Sequence, residues 1–201
     1  MKRNQPHMPF ERYADDIICH CRNQAQAEWV RARIAERLRE CKVELHSEKT
    51  KIVYCKDDRR RGRYPKVQFE FLGFAFQPRR VKSASTRLFV GYTPAISQGA
   101  AKAIRDVIRN WRIHRQSPSS LEEMSRHYNP SIRGWVNYYG SYCRSALNRV
   151  FAPVHFILVR WAMRKYKRFR GHKCRASRWL SRITKREPHL FAHWQVARNP
   201  G

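Results

Sequence analysis

Acid is scarce in this sequence: 15 Asp and Glu stand against 43 Lys and Arg, a formal charge of +28. A chain so unbalanced repels itself unless a polyanion neutralises it, which points to a nucleic-acid partner. Long apolar runs are missing too. The longest are short and broken by Arg or Lys, so no spanning helix and no membrane partner is expected. The opening Met1-Lys2-Arg3-Asn4-Gln5-Pro6-His7 has no apolar signal-peptide core, so a cytoplasmic location is expected. Nor are there cysteine pairs: the six, at 19, 21, 41, 55, 143 and 174, form no C-x-x-C, which argues against a zinc ribbon or redox motif. On a strand, Cys19 and Cys21 would share a face with His20 pointing away, a poor metal site. Reduced, mostly buried thiols are the expectation.

What is present supports a packed core: 42% hydrophobic and 12% aromatic residues in 201, enough for one ordinary domain or two small ones. The first 80 or so residues read as α+β. Residues 10–21 hold two β-prone runs around Ala14-Asp15-Asp16, a hairpin with carboxylates at its tip. Ala27, Val30, Ile34 and Leu38 predict a helix from Gln24 to Cys41 lying on an antiparallel sheet. Further strands are expected at Val43–Leu45, at Lys51–Cys55 and across Val67–Phe76, with a charged loop from Lys56 to Pro65. After Pro94 the pattern becomes all-helical. Ser97 is placed as an N-cap, and Ser120-Leu121-Glu122-Glu123 has the capping-box spacing that opens a short helix. Asn129-Pro130 reads as the start of another helix carrying Ile132, Trp135 and Val136. A longer helical pattern runs from Leu147 to Trp161, with Pro153 bending it or marking its start.

Asp15 and Asp16 are adjacent carboxylates, a costly pair unless divalent cations neutralise them. Hard oxygen ligands suit Mg²⁺, which bridges to substrate phosphates and aligns in-line displacement. Asp also favours turns for backbone reasons, and on the dipeptide alone turn chemistry is the better reading. In the helical half, cations alternate with aromatics. Arg112, Arg115, Arg133, Lys165, Lys167, Arg168 and Arg170 are the candidates for RNA phosphate contact, while Trp111, Trp135 and Trp161 lie on apolar stripes and belong to the core. Gly134 allows a close helix approach or is merely tolerated.

Tyr13-Ala14-Asp15-Asp16 before an apolar strand resembles the catalytic hairpin of reverse transcriptases. Leu45-His46-Ser47-Glu48-Lys49-Thr50-Lys51 is similar to the following block of the group II intron enzymes, and Phe71-Leu72-Gly73-Phe74 to their primer-gripping hairpin. Ile132-Arg133-Gly134-Trp135-Val136-Asn137-Tyr138-Tyr139 resembles the maturase thumb segment, and Leu190-Phe191-Ala192-His193-Trp194 resembles bacterial members lacking an endonuclease domain.

The resemblance implies a palm remnant over residues 1–94, an all-helical thumb or maturase-specific domain over 95–170, and a basic extension over 171–201. It implies an RNA-directed DNA polymerase that also helps its intron RNA splice, with group II intron RNA, an RNA template and a DNA primer as partners. Asp15 would ligate metal with Asp16 in support, Tyr13 would pack under the strand end, and Ala14 would leave room for primer. Lys49 would stand near the leaving phosphates, and Leu72, Gly73 and Phe74 would hold the primer. The family carries fingers and a further aspartate ahead of this hairpin, whereas Met1 stands 14 residues before Asp15. The expectation is a truncated or split chain that binds intron RNA and does not polymerise alone, or one completed by an N-terminal fragment bearing the fingers. Mg²⁺ is expected only in a completed site.

Overall fold

The computed structural model describes residues 8–60, 62–82 and 87–198. The chain divides into two compact units, one of residues 1–71 and 78–91, the other of 72–77 and 92–201.

In the first unit, strands β1 (Phe10–Tyr13) and β2 (Asp16–Cys19) form a two-stranded antiparallel sheet of their own. Helix α1 (Gln24–Glu40) follows, capped by the Asn23 side chain, which accepts from the Gln26 N–H. Met8 and Val30 are the only buried apolar side chains among this unit's described residues, and Trp29 is 48% exposed. The expected strands at Val43–Leu45 and Lys51–Cys55 are not there. The N–H of Val43 instead bonds the Leu38 carbonyl, 2.9 Å, and Lys42 N–H bonds Arg39, with Lys42 at φ 59°. That is a Schellman cap, so the segment closes α1 and cannot also serve a ladder. Around Tyr54 a stack on Tyr64, 4.2 Å between centroids, and the Tyr54 N–H to Lys66 carbonyl bond pin a loop.

A three-stranded sheet has the order β3 (Phe69–Phe71), β4 (Phe74–Lys82), β5 (Leu88–Ile96). The second unit then builds a helical core from α2 (Gln98–Asn110), α3 (Leu121–Tyr139), α4 (Leu147–Lys165), α5 (Lys173–Arg186) and α6 (Ala192–Arg198). Ser97 caps α2, and Ser120 with Glu123 closes the expected capping box. One hydrophobic cluster includes Ile108, Met124, Ile132, Leu158, Trp161, Leu180 and Phe191.

Asn129-Pro130 does not begin a helix: both lie inside α3, which runs unbroken from the capping box. The Asn129 side chain is used elsewhere. Its amide donates to the Leu190 carbonyl (2.8 Å) and its oxygen accepts from the Ala192 N–H (2.9 Å), tying the start of α6 to α3. Pro153 is likewise internal to α4. Trp161 is fully buried, while Trp111 and Trp135 are half-buried and stack on each other at 5.6 Å. The thiols are not buried as expected: Cys41 and Cys174 are exposed and the other four only partly covered. Gly134 meets nothing within 4 Å, so no helix approaches closely there.

Candidate nucleic-acid interface and carboxylate hairpin

β1 and β2 pair Tyr13 with Asp16, which leaves Ala14 and Asp15 as a two-residue turn. Ala14 takes φ 49°, a left-handed conformation that costs an L-residue about 1–2 kcal/mol. The Arg12 Nε donates to the Ala14 carbonyl at 3.0 Å and helps hold it. Tyr13, Ala14, Asp15 and Asp16 are all exposed, Tyr13 by 63% and neighbouring Ile17 by 49%. The tip thus offers two hard carboxylates to solvent. Among the described residues no group of three or more His, Cys, Asp or Glu could hold a metal ion. Lys49 is exposed on a turn closed by the Thr50 N–H to His46 carbonyl bond. No hydrogen bond or ion pair joins it to the hairpin among the described residues.

The turn between β3 and β4 is built otherwise. Leu72 and Gly73 both take positive φ, 50° and 76°, the pattern of a type I′ hairpin. The Tyr138 hydroxyl donates to the Leu72 carbonyl at 3.0 Å, and the Ser97 N–H to the Gly73 carbonyl at 2.8 Å. A Cβ on Gly73 would come within 2.8 Å of the Tyr139 hydroxyl. Phe74 is buried among Tyr138, Tyr139 and Tyr142, with centroids 5.2–5.4 Å away. These three tyrosines were not singled out from the sequence as partners of this turn. Their signal was the Tyr138-Tyr139 doublet at the end of α3.

Most of the cations singled out from the sequence fall at two places in the helical unit. After α2, Arg112 takes φ 48° and starts a 3-10 turn over Ile113–Arg115, which packs on α4. The Trp161 indole N–H donates to the Gln116 carbonyl (2.9 Å), and the Arg164 guanidinium to the His114 carbonyl (3.3 Å), fixing that packing. Partial desolvation, then the charges of Arg160, Arg164, Arg115 and Arg112, hold the His114 imidazole below its usual range. The charges of four exposed arginines therefore act on one imidazole, Arg112 and Arg115 beside it in the chain and Arg160 and Arg164 on the helix its turn packs against. Neither Arg160 nor Arg164 was a candidate for phosphate contact from the sequence, although Arg164 stands in the basic, aromatic-rich run at the end of α4; their i, i+4 spacing was the available signal.

The second place is the turn after α4. Lys167, Arg168 and Arg170 are exposed around a 3-10 turn over Lys167–Phe169, and Arg168 lies over the Phe169 ring at 4.7 Å. Lys165 is more committed. Its ammonium donates to the Pro118 and Ser119 carbonyls at 3.1 and 2.7 Å and lies 5.4 Å from the Trp161 centroid. Arg133 is exposed on α3, apart from both places in the chain.

No described helix is long and apolar enough to cross a membrane. The exposed carboxylate hairpin lies in residues 2–76, which match the family described as reverse transcriptase (RNA-dependent DNA polymerase). Residues 101–179 match the group II intron, maturase-specific domain. The chain belongs to the group II intron reverse transcriptase/maturase family. No curated protein matched it.

Proposed function

We propose that this chain binds structured group II intron RNA through its helical unit and carries, in its first unit, part of an RNA-directed DNA polymerase palm. The observation that carries the reading is the arginine cluster around His114, inside the stretch that matches the maturase-specific domain. Arg112, Arg115, Arg160 and Arg164 face solvent on a scaffold that keeps them together, and phosphates are the counterions such a cluster takes. Arg133, Lys167, Arg168 and Arg170 extend the phosphate contacts. Lys165 contributes chiefly by holding the loop before α3.

Reverse transcriptase chemistry implies a divalent metal. Asp15 and Asp16 suit Mg²⁺ in ligand type and exposure, with substrate phosphates and water completing the shell. When bound, the ion would neutralise developing phosphoryl charge. The two carboxylates themselves bind and orient; Ala14 leaves space at the tip, and Lys49 is the cation for the leaving phosphates. The Leu72-Gly73-Phe74 turn, packed on the tyrosines of α3, presents its backbone to the primer. On this reading RNA binding is self-sufficient in the helical unit, and nucleotide addition needs a carboxylate beyond Asp15 and Asp16. A further segment or polypeptide supplying it is favoured by one observation: among the described residues, Tyr13 and Ile17 are exposed on a sheet of only two strands.

The test is RNA affinity across a salt series. Intron RNA should bind with a steep salt slope, and Arg112→Ala with Arg160→Ala should weaken binding and reduce the slope by about one per lost phosphate contact. A shallow slope, unchanged by these substitutions, would remove the interface from this face.

A further inference from the structure

A cavity of about 450 Å³ opens between the start of α3, the end of α4 and one face of α5. That volume lies within the roughly 300–1,000 Å³ of small-ligand sites. Its walls are chemically sorted. Tyr166 and Trp179 are half-buried aromatic rings in edge contact at 5.3 Å, backed by Phe169. Arg182 and Arg186 stand one and two turns beyond Trp179 on the same face of α5, both exposed. Lys165 adds a third cation, though its ammonium already serves two carbonyls. Glu122 is the single acid in the lining, held ionised more firmly than usual by a hydrogen bond from its own backbone N–H, then by Ser120 and by nearby cations.

We infer that this cavity receives one unstacked nucleotide of single-stranded RNA, a proposal that rests on the RNA-binding reading above. A half-exposed ring backed by a packed cluster can stack on a base, and stacking tolerates any base because each has a π face. The cations of α5 suit the adjoining phosphate. Arg186 is shared with Glu187 at 2.7 Å, but a pair that exposed is worth little and gives way to a phosphate. The Glu122 carboxylate repels phosphate and accepts from exocyclic amines and ribose hydroxyls, so it favours the sugar and base over the backbone. Arg182 and Arg186 lie beyond the stretch that matches the maturase-specific domain. A bound nucleotide there would fix where a looped-out strand crosses the helical unit.

The experiment uses the full chain and a short oligouridylate carrying one photoreactive 5-iodouridine. The expected crosslink falls on the tryptic peptide Trp179–Arg182 or on Tyr166. An abasic residue at the same position should weaken binding about fivefold or more. Arg182→Ala with Arg186→Ala, both at exposed positions, should lower oligonucleotide affinity and crosslinking together; Trp179→Phe, which keeps a ring against Tyr166, should retain most binding. Crosslinks elsewhere, with affinity indifferent to the abasic residue and to the α5 substitutions, would overturn the cavity while leaving intron RNA binding at Arg112 and Arg160 standing. Failure of both the oligonucleotide and the intron RNA to bind would overturn the cavity and the RNA-binding reading together.

Discussion

His193 shows how one residue can set an acid limit for the fold. It is fully enclosed by Phe151, Phe191 and Trp194, and neither ring nitrogen has a hydrogen-bond partner among the described residues. Burial, with a smaller contribution from His155, pushes its pKa down to about 3. An unfolded chain protonates this imidazole near pH 6.5, so between roughly pH 6.5 and 3 the unfolded state binds the extra proton. Its contribution to stability is therefore complete above that range and is lost as pH falls, at up to about 1.4 kcal/mol per unit. Denaturant titrations from pH 7 to 4 should show this slope, and His193→Phe should flatten it. An unchanged slope would mean that the ring is solvated. Gly73 makes a second residue-scale case. Gly73→Ala meets both a positive φ and the Tyr139 hydroxyl, and should cost about 1–3 kcal/mol by thermal unfolding.

Among the elements, α3 best shows what the sequence could and could not reveal. Its capping box was legible because Ser and Glu at that spacing satisfy each other's neighbours locally. Its length was not, because Asn129-Pro130 looks like a helix start until Asn129 is seen bonded to residues 61 and 63 positions away. Val43 misled for the same kind of reason: an apolar residue after a helix can finish a cap as readily as begin a strand. The hairpin at Asp15 and Asp16 was legible because its turn is local, whereas the gathering of Arg112 and Arg115 with Arg160 and Arg164 depends on how the 3-10 turn packs on α4. Asn129→Ala should destabilise by about 1–3 kcal/mol, since it strands the Leu190 carbonyl and the Ala192 N–H. At the arginine cluster, bound RNA should raise the His114 pKa, because phosphates offset the guanidinium charges that help hold it down; the imidazole NMR titration reads this directly. No shift on saturation would place the RNA elsewhere.

At the scale of the whole molecule the two units differ in what holds them. The second has a continuous core with Trp161, Ile132 and Phe191 at its centre, whereas the first buries Met8 and Val30 among its described apolar side chains and exposes Tyr13, Ile17 and Trp29. Hydrogen exchange should accordingly protect α3 and α4 most and release β1, β2 and α1 earlier. The same division frames the proposed function: a well-packed basic unit proposed to bind RNA, and a thinly packed unit that displays two carboxylates. The most direct measurement follows both activities in one preparation: intron RNA affinity, and primer extension on an RNA template with Mg²⁺ and deoxynucleotides, for the parent chain and Asp15→Ala. Expected are tight, salt-sensitive binding identical in both proteins and no extension by either. Extension by the parent chain that disappears in Asp15→Ala would contradict this reading, because Asp15 and Asp16 would then be completed within this polypeptide or a dimer of it.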